Sequence, residues 1–234
     1  KFYNRTLSTS EIRYHYNRGG PVAHWKFDEG SGFTAFDSTN NNLDGTLTNM
    51  EADDWVVGKF GSALNFDGVN EYVEVTDPGT NSVLDITDAL TIAVWVKPTK
   101  DVVDVPTRSR ILTKGNSYLV SIFEPNKFYA HLRNASGYQE GSLSASNLPF
   151  NKWYHLVMVW DGYTAKGYLN GEYTGYSFVA QGPLVTNDTA LRISNISDVS
   201  YFKGLIDEVR IYNYARTPEQ ILQDYNAGLS AHFK

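Results

Sequence analysis

Cysteine is absent from the 234 residues of this chain, so it has no disulfide framework and no thiolate metal site, and Cys usage says nothing about redox compartment. No apolar run approaches the length of a membrane span. The opening Lys1-Phe2-Tyr3-Asn4 lacks the charged-then-apolar pattern of a secretory leader. Clustered Lys and Arg are missing, and the formal net charge is -6. Phosphate neutralisation needs a basic surface, so the chain is not expected to bind nucleic acid. There is no Gly-x-Ser-x-Gly elbow, and the histidines (His15, His24, His131, His155, His232) are scattered without metal spacing or a Ser partner.

Aromatics and glycine are plentiful: Tyr 16, Phe 12, Trp 5 and Gly 19. Aromatic and β-branched side chains suit a pleated surface, and glycine supplies the positive φ of tight turns. Alternation or short apolar runs predict strands over residues 22–27, 63–66, 72–75, 90–96, 110–113, 117–123, 128–133, 154–160, 165–169 and 204–212. Turn dipeptides separate several of them: Asp67-Gly68, Asp161-Gly162 and Asn170-Gly171, the last placed as a two-residue hairpin requires. Many short strands at close spacing predict an all-β sandwich or barrel of one domain.

Two short helices are the exception. Thr217-Pro218-Glu219-Gln220 offers an N-cap, a first-turn proline and an amide able to reach back, and Gly228 stands as a C-terminal cap. Ile221, Leu222 and Tyr225 are expected to pack that helix on a sheet. Residues 2–19 loosely repeat residues 211–228. Tyr3/Tyr212, Asn4/Asn213, Ile12/Ile221, Tyr16/Tyr225, Asn17/Asn226 and Gly19/Gly228 coincide 209 positions apart (212 against 3). Ala23-His24-x-Lys26 is then matched by Ala231-His232-x-Lys234. The expected organisation is a piece of a preceding repeat in 1–19, a whole domain in 20–228 and the start of a following repeat in 229–234, cut from a tandem array.

Trp25-x-Phe-Asp-Glu-Gly-Ser-Gly32, Gly61-x-Ala-Leu-x-Phe-Asp-Gly68, Tyr72-Val-x-Val75, Leu90-Thr-Ile-x-x-Trp-Val-Lys-Pro98, Trp153-Tyr-His-Leu-Val157, Tyr168-Leu-Asn-Gly171 and Gly204-Leu-Ile-Asp-Glu-Val-Arg-Ile-Tyr-Asn213 form an ordered set. Over residues 21–228 this set resembles the laminin G-like, concanavalin A-like lectin/glucanase jelly-roll family, which is related to the pentraxins. The resemblance implies a two-sheet antiparallel β-sandwich with a concave face, with first and last strands adjacent and short helices near the termini.

Members of that superfamily include binding modules and glycoside hydrolases, so chemistry must come from sites. A glycosidase needs two carboxylates across the scissile bond. Phe27-Asp28-Glu29 and Ile206-Asp207-Glu208 place adjacent acids on opposite faces of a regular strand, which argues against catalysis. A bound structural Ca²⁺ is the expected cofactor. Asp37-Ser-Thr-Asn40-Asn-Asn42-Leu-Asp44-Gly45 is an oxygen-rich loop of the kind calcium takes. The family resemblance adds Asp28, Asp37 and Asp207 as ligands, and a weaker pentraxin-like rim at Asn195 and Asp198. The competing reading is a solvated Asn/Asp turn.

Glycan binding needs exposed aromatics beside polar groups. Trp55, Asn116, Tyr118, Tyr129, His131 and Tyr138 are the candidates, whereas Trp25, Trp95, Trp153 and Trp160 read as core or inter-sheet packing; strand parity alone does not separate inside from outside. The expected function is a non-catalytic, extracellular or cell-surface binding or adhesion module, binding a glycan or surface protein and flanked by repeats of itself. The alternative is a structural spacer with no small ligand. Sequons at Asn4, Asn134, Asn187 and Asn195 are compatible with export.

Overall fold

The computed structural model describes residues 3, 5–7, 9–16, 19–79, 81–99, 108–123, 126–144, 148–195 and 201–230. Asp198 and the 100–107 loop lie outside them. In chain order the strands are β1 (Ala23–Trp25), β2 (Thr34–Ala35), β3 (Gly45–Thr48), β4 (Trp55–Val57), β5 (Ser62–Asp67), β6 (Tyr72–Val75), β7 (Leu90–Pro98) and β8 (Arg108–Lys114). They continue as β9 (Tyr118–Phe123), β10 (Lys127–Asn134), β11 (Gly137–Ser142), β12 (Tyr154–Trp160), β13 (Thr164–Leu169), β14 (Glu172–Val179), β15 (Leu191–Ile193) and β16 (Lys203–Tyr212). Helices α1 (Thr9–Tyr16) and α2 (Pro218–Ser230) stand near the two ends.

All pairings are antiparallel and form two sheets. The first runs β14-β13-β12-β7-β16-β5-β4, with β1 also on β16; the second runs β11-β10-β9-β8-β15-β6-β3-β2. Alternate residues of each turn inward, as the pleat demands. Trp25, Phe66, Val94, Val96, Leu156, Met158 and Trp160 of the first sheet meet Val73, Ile111, Val120, Ile122, Phe128, Ala130 and Leu132 of the second in one core. At one edge the sheets are stitched together, where the Thr174 hydroxyl donates to the carbonyls of Leu143 (2.7 Å) and Gly167 (3.0 Å).

The outer face of the first sheet is covered over its central strands, while edge strand β14 stays largely exposed, Tyr173 at 49%. Ile221 of α2 packs with Ala93, Val157, Val159 and Tyr168 in a second apolar cluster. Tyr225 stacks on Trp95 at 5.7 Å and on His155 at 6.3 Å. The turn after β4 covers Trp95 from the other side, with Phe60 edge-on to it at 6.0 Å and the Lys59 ammonium 4.7 Å from the Trp95 ring centre. Trp95 therefore packs outside the sandwich and not between the sheets; Trp25 and Trp160 are core as expected. Leu222 is exposed, and α2 continues through Gly228 to Ser230. The N-cap is as read: the Thr217 hydroxyl accepts from the Gln220 amide (3.3 Å) and the Gln220 side chain accepts from the Thr217 amide (2.9 Å).

Candidate glycan-binding face

The expected ligand residues fall on the outer face of the second sheet. Phe128, Ala130 and Leu132 of β10 enter the core, so Tyr129, His131 and Arg133 turn outward. Register extends this row: Tyr129 lies opposite Ser121 and Ser142, His131 opposite Leu119 and Glu140, and Arg133 opposite Tyr138. The aromatic rings form a line, with Phe123 to Tyr129 at 5.4 Å, Tyr129 to His131 at 5.3 Å and His131 to Tyr138 at 6.3 Å. The Arg133 guanidinium lies 5.2 Å from the centre of the Tyr138 ring, which remains 53% exposed. His131 Nε2 is 2.9 Å from Glu140 Oε2. The centre of this face is closed: Thr113, Leu119, Ser121 and His131 point outward yet are buried, His131 at 6% exposed. The open part is β11, where Tyr138 and Glu140 are exposed, with Tyr129 and Arg133 of β10 half-buried beside it.

Tyr129, His131 and Tyr138 thus share one surface, and Asn116 sits exposed in the β8–β9 turn beside the same strands. Tyr118 does not join them. It points into the core, 1% exposed, and its hydroxyl donates to the Leu84 carbonyl at 3.0 Å. Burial holds that hydroxyl well above the usual phenol range. It lies one residue out of phase with the outward row. Trp55 belongs to the first sheet, half-buried, its indole N–H donating to the Gly32 carbonyl at 3.0 Å. Phe123 and Glu140 were missed by sequence reasoning; the signal was the β9–β10–β11 register, which the hydrophobic pattern does not give.

The five expected metal ligands do not assemble. Asp37 Oδ1 accepts from the His24 amide (3.0 Å) and the Thr39 amide (3.0 Å). Its Oδ2 accepts from the Thr39 hydroxyl (2.7 Å) and the Leu43 amide (3.1 Å). A carboxylate so engaged has no oxygen to give a cation, so the loop is built around an anion. Asn40 and Asn42 are exposed on that turn. Asp28 and Asp207 meet elsewhere, against the turn after β4. Asp207 is fully buried; its Oδ2 accepts from the Lys59 amide (2.8 Å) and the Phe60 amide (2.9 Å), while Oδ1 is without a hydrogen-bond partner. Burial raises its carboxyl to about 8, against the pull of those two donors, with Glu208 and Asp28 adding repulsion. Asp28 Oδ1 accepts from the Ser62 amide at 3.2 Å. Among the described residues no three His, Cys, Asp or Glu side chains gather as a metal cluster.

Strand alternation also fails at Asp207-Glu208. Pairing with β7 slips between Asp207 and Arg210, and Glu208 takes a φ of 52°. This β-bulge brings Glu208 to the side of Arg210 and His24, so both acids serve the first sheet's outer side. Arg210 donates to Glu208 at 2.5 Å, and His24 Nε2 is 2.7 Å from Glu208 Oε2. Burial alone would raise the Glu208 carboxyl, but the His24 hydrogen bond and the Arg210 charge outweigh it and hold the carboxyl low. One acid is buried and the other is engaged, so the pair does not present the two carboxylates a glycosidase needs. Asn134 and Asn195 are buried, which suits neither sequon to glycosylation.

These two antiparallel sheets form a jelly-roll β-sandwich with an aromatic line on one outer face. The chain belongs to the concanavalin A-like lectin/glucanases superfamily, whose model matches residues 67–222. Comparison with curated protein sequences finds no match. Among solved structures it is similar to domain 4 of the extracellular GH43 arabinanase AbnA from Geobacillus stearothermophilus, solved with arabinotriose. That match has 25% identity and a TM-score of 0.66, and covers 87% of this chain and 97% of that one. It is also similar in fold to the binding domain of Paraclostridial Mosquitocidal Protein 1 (14% identity, TM-score 0.70, 89% of this chain and 52% of that one). The receptor binding domain of botulinum neurotoxin D is another (15% identity, TM-score 0.67, 89% and 51%). The chain spans about half the length of these two toxin domains. No helix among the described residues is long and apolar enough to cross a membrane.

Proposed function

We propose that the chain is a non-catalytic carbohydrate-binding module of an extracellular, repeat-built protein, and that a sugar chain lies along the β10–β11 edge. The observation that carries this reading is the line Phe123-Tyr129-His131-Tyr138 on an outer sheet face, bordered by Arg133 and Glu140. Sugar rings present apolar C–H faces that stack on Tyr129 and Tyr138, while hydroxyls find the His131–Glu140 pair and Arg133. The arabinotriose complex of the similar arabinanase domain supports a glycan ligand.

Titration calorimetry with arabino-oligosaccharides, after a glycan array, tests it. Tyr138→Ala and Tyr129→Ala are each expected to weaken binding about fivefold to tenfold, since an aromatic contact is worth roughly 1 kcal/mol. Absence of binding to any glycan would leave the spacer reading, which the closed centre at Leu119 and Ser121 favours.

Calcium fits the Asp28–Asp207 corner and not the 37–45 loop, because Asp207 keeps a buried oxygen unmatched there, as does the neighbouring Glu29. The ion would supply the charge that this carboxylate lacks. Expected is a melting temperature that rises with Ca²⁺ and falls with chelator, lost in Asp207→Asn; an unchanged melting temperature rejects it.

A further inference from the structure

The repeat puts α1 and α2 in register. Their first helical residues, Thr9 and Pro218, stand 209 positions apart, as do Ile12 and Ile221, and Tyr16 and Tyr225. In α2 this stripe holds the helix down: Ile221 is 1% exposed, and Tyr225 stacks on Trp95 and His155. In α1 the same stripe faces solvent, with Ile12 54% and Tyr16 86% exposed. Helix α1 instead touches the domain through Tyr14, whose ring meets Tyr214 edge-on at 5.5 Å. Tyr14 corresponds to Gln223, an exposed position of α2. The side α2 buries is thus the side α1 shows to water. Eight residues make a marginal helix without tertiary support, so this stripe lacks the seat its counterpart has.

We propose that the Ile12–Tyr16 stripe of α1 is a docking surface for the outer sheet face of a second domain of this kind. There it supplies the helix that α2 supplies here. The equivalents of Trp95 and His155 would stack Tyr16, and those of Ala93, Val157 and Val159 would floor Ile12. A second copy of this whole chain has that face covered by its own α2, so the occupant is a domain of the same kind without its own helix at that place. The inference rests on the repeat and not on the glycan reading, and its test contains no glycan.

The test fuses residues 20–209 directly ahead of the full chain. Lys1-Phe2-Tyr3-Asn4 then stands where Arg210-Ile211-Tyr212-Asn213 ends β16 in the added copy. A control fusion adds residues 20–230, which keep their own α2. In the first fusion both copies should fold, and amides 9–16 should exchange with deuterium as slowly as those of α2. Tyr16→Ala should remove that protection and lower the melting temperature of the added copy. In the control, amides 9–16 should exchange as fast as in the chain alone. Fast exchange in both fusions, equal protection in both, or an added copy that folds only with its own α2 overturns the proposal. So does an added copy that folds in neither, since its sheet face is then no seat that one helix completes.

Discussion

Tyr118 shows what a single residue discloses when its neighbours' register is unknown. Its type suits a ligand surface, but β9 places it opposite Leu132, on the core side, and Leu119 takes the outward position. Tyr118→Phe is therefore expected to cost about 1 kcal/mol of stability, the value of the lost hydrogen bond to the Leu84 carbonyl, which keeps its bond from the Ile86 amide (2.9 Å), and to leave glycan affinity unchanged. Denaturant unfolding and calorimetry separate the two effects. His155 and Glu71 set opposite pH dependences. Burial lowers the His155 imidazole from 6.5 to about 3, with the Arg210 and Arg216 charges acting in the same sense. Folding with a neutral ring means stability is fully present above about pH 6.5 and is lost as pH falls toward 3, by at most about 1.4 kcal/mol per pH unit. Burial raises Glu71 from 4.5 to about 7, so its contribution is present below 4.5 and lost as pH rises through 7. Glu71→Gln keeps an acceptor for the Asp67 amide, now at 2.6 Å, and should raise the melting temperature above pH 7 while changing it little at pH 4.

At the scale of the element, legibility followed burial. Strands β7 and β12 carry apolar runs because both their faces are covered, and they and β16 were read almost to their ends. Strand β11 was missed and β14 was read only at its hairpin start, Glu172-Tyr173: Gly-Tyr-Gln-Glu-Gly-Ser and Glu-Tyr-Thr-Gly-Tyr-Ser-Phe-Val are edge strands whose partly exposed faces need no hydrophobic alternation. The very short β2, β4 and β15 fall below any periodic signal. Of the candidate site, the shared face of Tyr129, His131 and Arg133 was legible, but not which side of the sheet it took. The saturated carboxylate of Asp37 and the Glu208 bulge were not, since each depends on contacts distant in sequence. The Asn170-Gly171 hairpin was read correctly, with φ of 53° and 86°. It also has a second duty: a Cβ at Gly171 would stand 3.0 Å from Leu222 and 3.1 Å from Tyr225. Gly171→Ala is expected to cost roughly 1–3 kcal/mol from the left-handed backbone and the crowding, and to speed deuterium exchange in α2 before the rest of the domain.

For the whole molecule, the two outer faces divide the work, one packed over its centre by α2 and the β4–β5 turn, the other carrying the aromatic line. Stability and binding should therefore separate. Tyr225→Ala is expected to cost about 2–4 kcal/mol with glycan affinity retained, by analogy with large aromatic deletions, whereas Tyr138→Ala does the reverse. Thermal unfolding and calorimetry on both variants check this. Strand β1 pairs with β16, Ala23 facing Ile211, so the first strand finds its hydrogen-bonding neighbour only when nearly the whole domain is present. Such a closure belongs to the slow class of all-β folding, on the order of milliseconds to seconds. A chain emerging from the ribosome carries an unfinished sheet until residue 211 is out, and its exposed core must be kept from other chains until then.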